Sequence, residues 1–150
     1  MPKLERRRRP RADPLIPARL SPRRLTAVAY LYIMAGALVG APLRYFIGGH
    51  IQRWTASGFP WGTLVVNVTG CFLIGVVAIL AERHDWLSRE ARLLLITGFL
   101  GSYTTFSALS FETYGLLRGD EPVRAGAYIL CSVVIGLAAT WLGAALARLA

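Results

Sequence analysis

Residues 98–112 read GFLGSYTTFSALSFE, and six of the fifteen carry a hydroxyl inside a segment otherwise apolar enough to cross a bilayer. Gly98, Gly101, Ser102, Tyr103, Thr104 and Thr105 together weaken a helix at a depth where no water satisfies backbone groups. Hydroxyls there can back-bond to the preceding turn and leave the helix continuous. Irregular backbone persists at such depth only against protein, an ion or a wet cavity. That reading predicts two half-helices, roughly Ala91 to Leu100 and Thr105 to Leu117, with carbonyls near Gly101 to Thr104 offered to a small hard cation.

After the break, Phe106, Leu109 and Ser110 share one helical face, with Ser107 beside it. Phenyl edges are electropositive, so ring edges and hydroxyl donors can meet a dehydrated anion without a fixed cation that would trap it. Two other apolar segments carry polar stripes. Thr63 and Asn67 lie four apart in WGTLVVNVTG, and Tyr128 and Ser132 repeat that spacing, followed by Gly136. An Asn at mid-membrane either staples helices together or lines a path. Donors on three helices at once favour a conduit over three separate staples. Glu112 is the carboxylate that borders a polar face, which makes it a functional candidate by default. Arg44, just after Pro42, is placed to snorkel or to guard a vestibule against the wrong charge.

Nothing resembling enzyme chemistry accompanies these residues. No nucleophile with its base, carboxylate pair or phosphate loop is legible, and His50 and His84 fall in connectors. Cys71 and Cys131 sit in different apolar segments without metal-ligand spacing and read as small packing residues.

Charge defines the elements that must position the polar residues. Hydrophobic residues make up 55% of the 150, and four stretches lack any charge over about the thickness of a hydrocarbon core: Leu25–Leu43, Gly62–Ala81, Leu93–Phe111 and Ala125–Ala147. An all-α membrane protein is expected, with transmembrane helices at about 25–47, 60–81, 91–117 and 123–147 and the third broken mid-membrane. Trp54, Trp61 and Trp86 fall at segment ends, as interfacial anchors do. Glycines at helical spacing, Gly36 and Gly40 in the first segment and Gly62, Gly70 and Gly75 in the second, permit close backbone approach. Four such thin helices enclose a wet path poorly, so a homo-oligomer is expected.

Residues 1–24 hold nine of the seventeen Lys and Arg residues and five of the eight prolines, a composition that predicts a disordered basic tail touching anionic lipid. The net charge of +9 therefore describes tail and loops, and no nucleic-acid partner is expected. Outside the tail, Arg83, Arg89, Arg92 and Arg148 fall on one side of the membrane and Arg44, Arg53, Arg118 and Arg124 on the other. That balance suits insertion in both orientations, whereas the tail favours an internal N-terminus.

Three motifs, in order, carry a family resemblance: GALVGAPLRY (Gly36 to Tyr45), GTLVVNVTGCFLIG (Gly62 to Gly75) and GFLGSYTTFSALSFE. From about Thr26 to its C-terminus the chain resembles the Fluc (CrcB) fluoride channels. The resemblance implies a passive, fluoride-selective exporter in a prokaryotic inner membrane that confers fluoride resistance. It further implies an antiparallel homodimer with two fluoride pathways and a structural Na+ at the dimer interface. By the same resemblance, Gly101 and Thr104 supply backbone carbonyls to Na+, and Phe106 is the first pore-lining phenylalanine. Asn67, Ser110, Tyr128 and Ser132 match the polar track, while Thr63, Glu112 and Arg44 match the second-segment threonine, the acidic position and the vestibule arginine. Leu109, preceded by Ala108, stands where the family carries a second aromatic, and Gly136 stands where a further hydroxyl is often found. The missing ring and the tail's orientation bias make a heterodimer with a paralogous subunit the alternative to a homodimer. Two rival functions are a small dual-topology proton-coupled cation or drug antiporter using Glu112, and a membrane assembly factor that transports nothing.

Overall fold

The computed structural model describes residues 27–83 and 87–149, so the expected tail, His84 and Trp86 lie outside the described residues. Among the described residues all regular structure is helical: α1 (Ala27–Thr55), α2 (Trp61–Arg83), α3 (Arg89–Arg92), a π-helical stretch (Leu93–Leu100), α4 (Gly101–Tyr103), α5 (Phe106–Arg118) and α6 (Pro122–Ala147). Four helical spans, Ala27–Thr55, Trp61–Arg83, Arg89–Arg118 and Pro122–Ala147, are long and apolar enough to cross a membrane. The third is composite, since Thr104 and Thr105 are extended between α4 and α5. Leu38 on α1 and Trp141 on α6 are 75% and 71% exposed. An exterior of such residues would be unfavourable in water and is at ease against lipid, which marks a multi-pass integral membrane protein.

The first helix runs past the expected end at 47, through Pro42, to Thr55. Thr55 Oγ1 donates to the Ile51 and Gln52 carbonyls at 3.0 and 3.2 Å, and the chain then turns at Ala56 with a φ of 44°. Gln52 satisfies the connector that follows. Its Nε2 donates to the Ser57 and Phe59 carbonyls at 2.9 and 3.1 Å, and its Oε1 accepts from the Gly62 N–H at 3.2 Å. The helix is longer than hydropathy suggests because these polar residues find partners in the connector instead of needing water.

Packing is closest where glycines remove the side chain. The α2 helix packs most extensively on α6, and α1 on the π-helical stretch. A Cβ on Gly36 would strike the Leu94 carbonyl, one on Gly75 the Thr140 carbonyl, and one on Gly143 the Phe72 carbonyl. Backbone-to-backbone contact of this kind is what holds helices together where lipid competes for every apolar side chain. Leu64, Leu109, Leu116, Ala125 and Tyr128 form a small core between α2, α5 and α6. Arginines finish the helix ends: Arg92 donates to the Leu87 carbonyl at 3.3 Å and to that of Ala81, and Arg83 donates to that of Arg148.

Candidate functional site: a helix break between two cavities

The second half-helix begins at Thr105 as expected, while the first runs three residues past its expected end. The first half-helix was expected to stop near Leu100, yet Gly101, Ser102 and Tyr103 remain helical, and the Thr104 N–H and Oγ1 both still donate to the Leu100 carbonyl at 3.0 Å. What stops the helix is Asn67 on α2. Its Oδ1 accepts from the Thr105 N–H at 2.8 Å, and its Nδ2 donates to the Thr105 carbonyl at 3.1 Å. One carboxamide thus pairs with both backbone groups of an extended residue, the partners a neighbouring strand would otherwise supply. Thr105 then starts α5, its Oγ1 accepting from the Ala108 N–H at 3.2 Å as an N-cap.

The break leaves helical carbonyls without their usual donors. Those for Gly101, Ser102 and Tyr103 would be the N–H groups of Thr105, Phe106 and Ser107, and the first of these belongs to Asn67. Gly101 is exposed on the outside of the single chain, with its carbonyl at the end of a half-helix where the backbone dipole is negative. The Thr104 carbonyl has the Arg44 Nη1 at 3.5 Å. Among the described residues no cluster of His, Cys, Asp or Glu could hold a metal. A hard cation would therefore rest on backbone oxygens, and the Gly101 carbonyl has the right chemistry for one.

Two cavities meet at the break. The larger, about 1050 Å³, is lined by Arg44, Gln52, Thr63, Thr105, Phe111 and Glu112 among others. The smaller, about 370 Å³, is lined by Asn67, Gly101, Thr104, Phe106, Leu109 and Ser132, with Cys71 and mostly apolar neighbours. Thr105 belongs to both. In the larger cavity Glu112 Oε1 accepts from Thr63 Oγ1 at 2.7 Å, and its Oε2 accepts from the Tyr128 hydroxyl at 2.6 Å. Tyr128 is fully buried, with Phe59 edge-on at a centroid distance of 5.5 Å. In the smaller cavity the Ser132 hydroxyl is buried and has no hydrogen-bond partner among the described residues. The lining around it carries no Asp, Glu, Lys, Arg or His.

The candidate residues therefore fall into two groups joined by the break. Thr63 and Asn67 on α2 lie along the line from one cavity to the other. Ser110 joins neither group: it is exposed on the outer surface and its Oγ donates to the Phe106 carbonyl at 3.0 Å. Phe106 is 80% exposed and shares that outward face, while Leu109 turns into the core at 9%. Phe106 and Leu109 nonetheless line the smaller cavity together, so α5 presents there a face graded from exposed to buried, with Ser110 outside it. Gly136 is buried on α6, where an added Cβ would lie 3.3 Å from the Cys71 Sγ.

Gln52 escaped the sequence reading, and Thr105, read there only as the start of the second half-helix, escaped as the residue bordering both cavities. Thr105 had a weak signal, a Thr ahead of an apolar run, but the usual acidic partner three residues later is Ala108. Gln52 had only its polarity at the end of an apolar segment.

Known proteins match this sequence along nearly the whole membrane segment. The family model described as CrcB-like protein, Camphor Resistance (CrcB), matches residues 31–144. The chain is similar to the "Fluoride-specific ion channel FluC" of Rhizobium etli, 49% identical over 118 residues, covering 79% of this chain and 94% of the relative. A protein of the same name from Roseiflexus sp. is 52% identical over 117 residues, covering 77% and 94%. That of Geobacter metallireducens is 45% identical over 121 residues, covering 79% and 98%. With a broken third span wedged between two cavities and a family match that runs from α1 to α6, this membrane protein belongs to the CrcB family.

Proposed function

We propose that the chain is a fluoride-selective channel that lets cytoplasmic fluoride leave a prokaryotic cell passively. Fluoride enters an acidified environment's cells as neutral HF, ionises inside, and runs out down its own gradient without ATP. The names of the relatives support this reading. The observation that carries it is the Ser132 hydroxyl, a buried donor with no partner in a cavity free of charged side chains. An unpaired buried hydroxyl is unfavourable unless something accepts from it. A small dehydrated anion does, and Phe106, which lines the same cavity, has an electropositive ring edge to offer. Weak neutral contacts of this kind bind without trapping.

The same reading includes two antiparallel copies sharing a structural Na+ on the Gly101 and Thr104 carbonyls, whose charge would offset the carbonyl ends of both broken helices. Exposure of Gly101 on the single chain is what a shared ion requires. Nothing favours the antiporter, since Glu112 lies outside the smaller cavity with both oxygens bound by hydroxyls.

The test is fluoride efflux from liposomes, read with a fluoride electrode. Wild type should discharge fluoride, and Phe106→Ile should slow it at least about tenfold while leaving the fold intact, because this exposed ring supports no core. Unchanged flux in that variant would remove Phe106 from the path. Flux that requires a proton gradient and is abolished by Glu112→Gln would favour the antiporter instead.

A further inference from the structure

We propose that Arg44 is a positioning residue that couples the two cavities by competing with a cation for the Thr104 carbonyl. Gly36 and Gly40 press α1 against the first half of the broken span so closely that an added Cβ would collide with the backbone of Leu94 and Phe99. Arg44, one turn beyond Gly40, is thereby held beside the break. Its Nη1 lies 3.5 Å from the Thr104 oxygen, at the long limit of a hydrogen bond and easily exchanged.

No carboxylate claims this guanidinium. Glu112 lines the same cavity, but its oxygens accept from Thr63 and Tyr128, and among the described residues the one ion pair joins Arg124 to Glu121 at 2.8 Å. Arg44 therefore has two alternatives. It offsets the carbonyl end of α4 when the larger cavity is empty, or it turns to an anion that has entered and leaves the Thr104 carbonyl to a cation. Anion and cation favour the same arrangement, so each must strengthen the binding of the other.

The inference rests on the proposed cation site, and its readout is separate from ion flux. Purified protein in detergent is unfolded thermally while sodium gluconate replaces N-methylglucamine gluconate, with and without N-methylglucamine fluoride. For wild type, the sodium concentration giving half of the stabilisation should fall when fluoride is added. Arg44→Gln should lower that midpoint on the order of tenfold without fluoride, the size expected for one lost charge-assisted contact, and should abolish the fluoride effect. Arg44→Lys, which keeps the charge, should restore a midpoint nearer wild type. A wild-type midpoint indifferent to fluoride, or an Arg44→Gln midpoint unchanged from wild type, would overturn the coupling. A wild type that sodium does not stabilise would overturn both the cation site and the coupling, while liposome efflux would still report independently on the channel.

Discussion

Asn67 and Ser132 both border the smaller cavity, yet the structure gives them opposite hydrogen-bonding states. Both polar atoms of the Asn67 carboxamide are paired with the Thr105 backbone. Asn67→Leu leaves two backbone groups stranded out of reach of water and is expected to cost about 2–4 kcal/mol. Thermal unfolding in detergent should show the loss, and fluoride efflux should fall with it because the break itself is disturbed. A variant with wild-type melting and flux would show that Thr105 finds other partners. Ser132 is the reverse case. Ser132→Ala removes a buried donor that has nothing to donate to, so stability should hold or rise by up to about 1 kcal/mol while efflux drops about tenfold. Stability and flux moving in opposite directions is the signature of a group kept for a ligand; a parallel fall would make Ser132 a packing residue.

The third span acts as an element because two neighbours hold it from different sides. Asn67 on α2 fixes the break, and α1 clamps the π-helical stretch through Gly36, Gly40 and Gly98. A π-helical turn takes in an extra residue and is uncommon except near functional sites. Gly36→Ala would drive a methyl into the Leu94 carbonyl and the Phe99 N–H, backbone that cannot give way. The expected outcome is several kcal/mol of destabilisation, seen as loss of monodisperse protein on size exclusion. Gly126→Ala is the matched comparison. Nothing lies within 4 Å of a Cβ there, so this α6 substitution should stabilise by roughly 0.5–1 kcal/mol through helix propensity alone. Equal behaviour of the two variants would mean that close α1 contact does not hold the broken span.

For the whole molecule, one chain leaves its most suggestive groups on the outside. Gly101 is exposed, and Phe106 and Ser110 share an outward face of α5. Rings and donors that serve an anion path gain by facing a second copy rather than acyl chains, which is why the proposed function includes a dimer. Leu109 in the core and Ala108 before it supply no second ring. A homodimer must then conduct with one phenyl edge fewer per path, or a paralogous subunit must provide it. Protein expressed alone, purified and reconstituted is expected to discharge fluoride from liposomes. Absence of flux until a second homologous subunit is co-expressed would establish the heterodimer.

Four membrane spans were legible in the sequence because burial in lipid demands a long run without charge, and that demand is local. The weakness of the third span was legible for the same reason, since glycines and hydroxyls act on their own backbone. What holds the break open was not. Thr104 and Thr105 are extended because Asn67, thirty-eight positions from Thr105, pairs with that backbone, and no pattern within the third span could reveal it. The division between Leu109 inside and Phe106 and Ser110 outside likewise depended on which side of α5 meets α2 and α6. Helical spacing tells which residues share a side of a helix, but only packing against neighbours decides where that side points.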